Sequence, residues 1–193
     1  MTGVQTCALP ISGRLSRWKG QDDFVEALGR IAALPWLAVL VGGSRGSGKY
    51  ERDLKSRVEE LGLGGRIVFL PATDEMALHF AAADLVVYPA SRPEGFGRIG
   101  VEAQAMGRPI VATGHGGSLE TIRDGETGWL VPPKDPERLA TAIADALSDR
   151  QRLARMGAAA RAWVERAFPI ERMCGGELAV YLDTLDAARG AAP

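Results

Sequence analysis

Residues 84–113 read DLVVYPASRPEGFGRIGVEAQAMGRPIVAT. The stretch opens on a short apolar run, Asp84–Tyr88, and crosses a loop rich in proline and glycine. It continues through Gly100–Met106 with apolar residues at helical spacing and closes on a second apolar run, Pro109–Thr113. Strands that are apolar throughout, rather than alternating, belong to a parallel sheet covered on both faces, and the helix between them is the crossover such a sheet requires. The same pattern repeats outward. Trp36–Val41, Arg66–Leu70 and Trp129–Val131 read as further buried strands, with Phe24–Leu34, Tyr50–Leu61 and Glu75–Ala83 as helices between them. The class is α/β, a doubly wound, Rossmann-like parallel sheet.

Beyond Val131 the pattern turns helical. Asp135 is placed to cap Pro136–Leu147, with proline at the first helical position. Two extra C-terminal helices follow, about Asp149–Ala167 and Glu171–Ala188, and residues 189–193 read as a flexible tail. At the other end, Met1–Ile11 resembles one reading frame of a common short-read sequencing adapter, whose last complete codons give Ala8, Leu9, Pro10 and Ile11. Residues 1–12 are therefore set aside as a non-native scar, and the domain is expected to run from 13 to 188. That leaves only Gly13-Arg14-Leu15 of the first strand, with apolar Ala8–Ile11 in a position to fill its place.

With 193 residues, 24 % charged side chains and a net charge of −1, the chain offers no electrostatic case for nucleic acid or for an anionic membrane. No apolar run approaches the ~20 residues that span a bilayer. With Cys7 in the scar, Cys174 stands alone, which excludes an internal disulfide and fits a reducing cytoplasm.

Two glycine-rich motifs mislead. Gly43 to Lys49 has the G-x-x-x-x-G-K spacing of a phosphate-cradling loop, but Tyr50 stands where a magnesium-holding Ser or Thr belongs. Gly95-Phe-Gly97-Arg-Ile-Gly100 spells a dinucleotide fingerprint, yet it is not in the first βα turn, and no strand ends in a suitable acid about twenty residues on. Its glycines still open a helix, whose N–H groups and dipole favour phosphate or hydroxyl oxygens. Nearby, Glu94 lies past a strand's C-terminal end and Glu102 about two turns into the following helix. A carboxylate accepts two hydroxyl hydrogen bonds at once, which suits the vicinal diols of a sugar. His79 reads as structural and His115 as a loop residue. Neither has a partner at metal-ligand spacing, and there is no Asp-x-Asp.

Glu94–Gly97, Glu102–Pro109, Gly116–Glu120 and Gly125–Pro132 together resemble the donor-site signature of glycosyltransferase family 4, and Gly13 to Gly20 its first strand and loop. The resemblance covers Gly13 to about Leu185. It implies the C-terminal, donor-binding half of a GT-B fold that transfers a sugar from an NDP-sugar with retention of configuration and without a metal or other cofactor. It also implies roles. Arg14 and Lys19 hold the diphosphate and stabilise charge on the departing nucleotide. Glu94 accepts from donor-sugar hydroxyls. The N–H groups of Gly95, Phe96 and Gly97 orient the sugar and β-phosphate. Glu102 clamps the ribose, and the loop Pro71–Thr73 meets the base. The expected acceptor is a cell-envelope, lipopolysaccharide or lipid-linked glycan, held by an N-terminal domain of the same protein. The setting is cytoplasmic, with peripheral contact at the inner membrane face. The alternatives are a nucleotide-sugar epimerase of the same architecture, which would need a catalytic His or carboxylate aimed at the sugar, and a nucleotide-binding module without turnover.

Overall fold

Apolar runs set the strands, and the order in which they pair sets the site. The computed structural model describes residues 6–44 and 48–190. Along the chain lie β1 (Cys7–Ser12), a 3-10 turn (Arg17–Lys19), α1 (Gln21–Arg30), β2 (Trp36–Val41), α2 (Lys49–Glu60), β3 (Ile67–Leu70), α3 (Met76–Ala81) and β4 (Val86–Tyr88). Then come α4 (Arg98–Ala105), β5 (Ile110–Thr113), α5 (Ser118–Thr121), β6 (Gly128–Val131), α6 (Pro136–Ser148), α7 (Arg150–Ala167) and α8 (Ile170–Gly190). All strand pairs are parallel, in two three-stranded sheets ordered β1-β2-β3 and β4-β5-β6.

The two sheets abut through β1 and β4. Asp84 N–H donates to the Ala8 carbonyl at 3.0 Å, and the Asp84 carboxylate accepts from Ala8 N–H at 2.8 Å. The run across both sheets is therefore 3-2-1-4-5-6, and the chain reverses its winding between β1 and β4. Side chains alternate across this plane. Leu85 and Val87 enter a large core with Leu9, Ile11, Phe24, Leu28 and Ile143, whereas Val86 and Tyr88 enter a smaller one with Phe80, Ala103 and Ile110. Helices α1, α2 and α6 pack together on the first side and α3 and α4 on the other, with α7 packed against both α4 and α6. Asp135 caps α6 as its sequence predicts, accepting from Arg138 N–H at 2.9 Å with Pro136 in the first turn.

Several boundaries differ from the sequence reading. The first strand is Cys7–Ser12, in register with Trp36–Val41, so residues set aside as a scar occupy the strand next to the winding reversal. Gly13–Leu15 is not a strand; it is the loop that leaves β1 at its C-terminal edge, pinned by one bridge from Leu15 to Ser44. Helix α1 begins at Gln21, three residues before the first apolar position, because its opening turn carries Asp22 and Asp23 at the helix's positive end. Glu102 accordingly stands just over one turn into α4, not two. The short α5 had no expectation. Helix α8 continues through Gly190, where a tail was expected from 189; residues 191–193 and the scar's Met1–Gln5 lie outside the described residues, as do residues 45–47 of the phosphate-loop look-alike. Among the described residues no helix is long and apolar enough to cross a membrane. Cys7 is buried and Cys174 exposed, both as free thiols.

Candidate donor-binding site

In open α/β sheets ligands bind at the C-terminal strand ends where the strand order reverses. Here that place lies between the loop after β1 and the loop after β4. The two loops touch backbone to backbone. Ser91 N–H donates to the Trp18 carbonyl at 2.8 Å. Gly20, at φ 72°, sits so close to Pro89 that a Cβ would lie 1.9 Å from its carbonyl oxygen, so only glycine fits there. Buried Gln21 braces the first loop from below, donating to the Arg14 carbonyl at 3.0 Å.

This approach brings Lys19 and Glu94 together across 75 residues of sequence as a salt bridge. Both are sheltered, with side-chain exposures of 12 % and 23 %. The Lys19 ammonium also lies 4.3 Å from the Trp18 ring centre and 5.8 Å from that of Tyr88, inside a partial aromatic cage. Gly13 lies under the Lys19 stem. The loop carrying Glu94 is held from behind by Gly116 and Gly117: Gly117 N–H donates to the Glu94 carbonyl at 2.9 Å, and a Cβ on Gly117 would fall 2.3 Å from the Phe96 carbonyl oxygen. Gly97, at φ 73°, turns the loop into α4. Among the described residues the N–H groups of Gly95, Phe96 and Gly97 donate no hydrogen bond, so they are free to meet an anion.

The other expected residues are distributed around this centre. Arg14 is exposed and shares a cleft of about 380 Å³ with Thr73, Gly42 and Ser44; Pro71, though exposed, does not line it. Glu102 is exposed on α4 and meets Arg98 only at 4.0 Å, which leaves its carboxylate available. The Phe96 ring, 47 % exposed, stands edge-on to Phe168 at 5.5 Å. His115 is tied down: its Nε2 lies 2.7 Å from the Ala90 carbonyl oxygen and 2.9 Å from Thr113 Oγ1. His79 is half-buried, and its ring makes no hydrogen bond among the described residues. Among the described residues no three His, Cys, Asp or Glu side chains gather as metal ligands do. Sequence reading missed Trp18, Gln21 and Tyr88; Trp18 lies inside the Gly13–Gly20 stretch without a role assigned to it, and the other two belong to no motif. It had quoted Gly116 and Gly117 without seeing that they carry the Glu94 loop.

The family model for glycosyl transferases group 1 matches residues 8–163. The chain belongs to this family. Among its curated relatives, the GDP-mannose-dependent alpha-(1-6)-phosphatidylinositol monomannoside mannosyltransferase of Mycobacterium tuberculosis is 36 % identical over 190 residues, spanning 91 % of this chain and 47 % of that protein. The lipopolysaccharide core biosynthesis mannosyltransferase LpsB of Rhizobium meliloti is 37 % identical over 176 residues, spanning 88 % and 49 %. The chain thus spans about half the length of the curated relatives it matches. Among solved structures, Anabaena Alr3699/HepE in complex with UDP-glucose superposes with a TM-score of 0.86 at 31 % identity, covering 93 % of this chain and 49 % of that one. The C-terminal domain of the group 1 glycosyl transferase LpcC from Francisella tularensis superposes at 0.77 with 26 % identity, covering 86 % of this chain and 87 % of that domain. The doubly wound sheet therefore matches the C-terminal domain of GT-B glycosyltransferases.

Proposed function

We propose that this glycosyl transferase group 1 chain binds a nucleotide-diphosphate sugar for transfer, with retention at the anomeric carbon and without a metal, to a lipid-linked or other cell-envelope glycan. The observation that carries the reading is the sheltered Lys19–Glu94 pair at the winding reversal, beside three uncommitted N–H groups at the start of α4. That arrangement offers a cation and backbone donors for a diphosphate and a carboxylate for sugar hydroxyls, within a single loop's reach. The relatives support the donor class: one of them is named for GDP-mannose and another is solved with UDP-glucose. Their names, for a phosphatidylinositol mannoside and for lipopolysaccharide core, support the acceptor class, and we place the reaction at the inner membrane face.

In this reading Arg14 and Lys19 neutralise the diphosphate and stabilise the charge that develops as the nucleotide leaves. The N–H groups of Gly95, Phe96 and Gly97 orient the β-phosphate and sugar. Glu94 accepts from the sugar hydroxyls, Glu102 from the ribose, and the 71–73 loop flanks the base. The departing phosphate takes the acceptor's proton as the new glycosidic bond forms on the same face. The acceptor is held by a second, N-terminal domain, with residues 13–188 as the donor domain.

Calorimetry with a nucleotide panel tests this directly. Without metal, the chain should bind UDP or GDP, and Glu102→Ala should weaken free-nucleotide binding about tenfold to a hundredfold, the worth of a hydrogen bond to a charged group. Glu94→Ala should leave UDP or GDP binding nearly intact and weaken binding of the corresponding nucleotide sugar. Equal losses on free nucleotide for both variants would refute the division of labour. Binding of ATP with magnesium alone would overturn the donor-site reading.

A further inference from the structure

Tyr88 ends β4 with its ring against Gly97, fully buried at 2 % exposure. Its hydroxyl is shut off from solvent and lies against the Glu94 carboxylate in a loose contact that falls short of a well-formed hydrogen bond. A buried hydroxyl whose hydrogen bond is poorly formed costs stability, and phenylalanine would fill the same space without that cost. The hydroxyl therefore points to a contact that tightens in another state of the site. In the ligand-free arrangement Glu94 is already engaged by Lys19. A diphosphate bound at the same loop competes for the Lys19 ammonium, and a sheltered carboxylate deprived of its cation needs a new donor.

We propose that Tyr88 is a positioning residue for Glu94, its hydroxyl donating to the carboxylate once a bound diphosphate draws Lys19 away. The exchange keeps Glu94 charged and aimed at the donor sugar while Lys19 serves the phosphates. Burial, and then the neighbouring carboxylate, push the phenol above its ordinary range, so it stays a neutral donor at physiological pH. The inference rests on the donor-site reading above and adds a residue that no motif marks.

Tyr88→Phe in the 193-residue chain is the test, read by calorimetry with UDP, GDP, UDP-glucose and GDP-mannose and by thermal melting. The variant should melt about 2–4 °C higher without ligand, because a buried and poorly bonded hydroxyl is gone. It should bind the free diphosphate within twofold of the parent and the nucleotide sugar roughly tenfold more weakly. In a Glu94→Gln background the same change should cost little further sugar affinity, since the two residues act as one unit. Undiminished nucleotide-sugar affinity in Tyr88→Phe, or an equal loss for UDP and UDP-glucose, would overturn the role while leaving the donor site standing. A parent chain that binds none of the four ligands would overturn the donor-site reading and this inference with it.

Discussion

The 193-residue chain assayed by itself is expected to bind a nucleotide diphosphate and to transfer no sugar. In the reading proposed above, the Lys19 cation, the uncommitted amides and the carboxylates of Glu94 and Glu102 all address a donor. Transfer also needs an acceptor hydroxyl held close to the anomeric carbon. Proximity and orientation are worth ~7–11 kcal/mol of barrier, which converts to roughly five to eight powers of ten in rate. The relatives that share this donor domain are about twice its matched length, and we assign that contribution to their other half. Nucleotide release from UDP-glucose and GDP-mannose, followed with a membrane lipid extract as acceptor, is the measurement. Turnover on the order of 1 s⁻¹, ordinary for an enzyme, would show that the donor domain needs no second domain.

Gly117→Ala carries the next largest expected effect. The glycine's φ and ψ are those of a helix, so alanine meets no backbone strain; the obstacle is contact. Its Cβ would stand 2.3 Å from the Phe96 carbonyl oxygen and 2.4 Å from that of Gly95, both backbone atoms that no rotamer change can move. Either α5 or the 94–97 loop must shift by about an ångström, breaking the hydrogen bond from Gly117 to Glu94. We expect nucleotide-sugar affinity to fall at least about a hundredfold, with about 1–3 kcal/mol of stability lost to overpacking. Gly114→Ala, whose Cβ would make only ordinary contacts from 3.5 Å outward, serves as the matched control. Parental affinity in Gly117→Ala would mean that the loop's position does not govern the site.

Much of this was legible in the sequence because it is local. Trp36–Val41 was read to the residue, and the Asp135 cap with Pro136 behind it is a signal carried within four positions. Glu94, Glu102 and Lys19 were singled out through motif wording. What escaped depends on approach through space. Tyr88 looks like any aromatic at the end of a buried strand until Gly97 and Glu94 close over it. The support of the Glu94 loop by Gly116 and Gly117 spans more than twenty residues, and the Lys19–Glu94 pair spans 75, with no periodicity to announce either. The start of α1 was missed for the opposite reason: Gln21, Asp22 and Asp23 belong to the helix through their charge at its end and the hydrogen bonds of Gln21, whereas the reading followed apolar spacing.

The Trp18–Ser91 hydrogen bond and the Gly20–Pro89 contact join the two halves of the sheet at their shared rim. A crevice whose walls are bolted together at the base behaves as a rigid seat, not as a jaw. Its geometry is settled during folding, when the chain's entropy is surrendered, so an arriving ligand need order only its own rotatable bonds and a few exposed side chains. Whatever large motion accompanies a reaction cycle must then come from outside this rim.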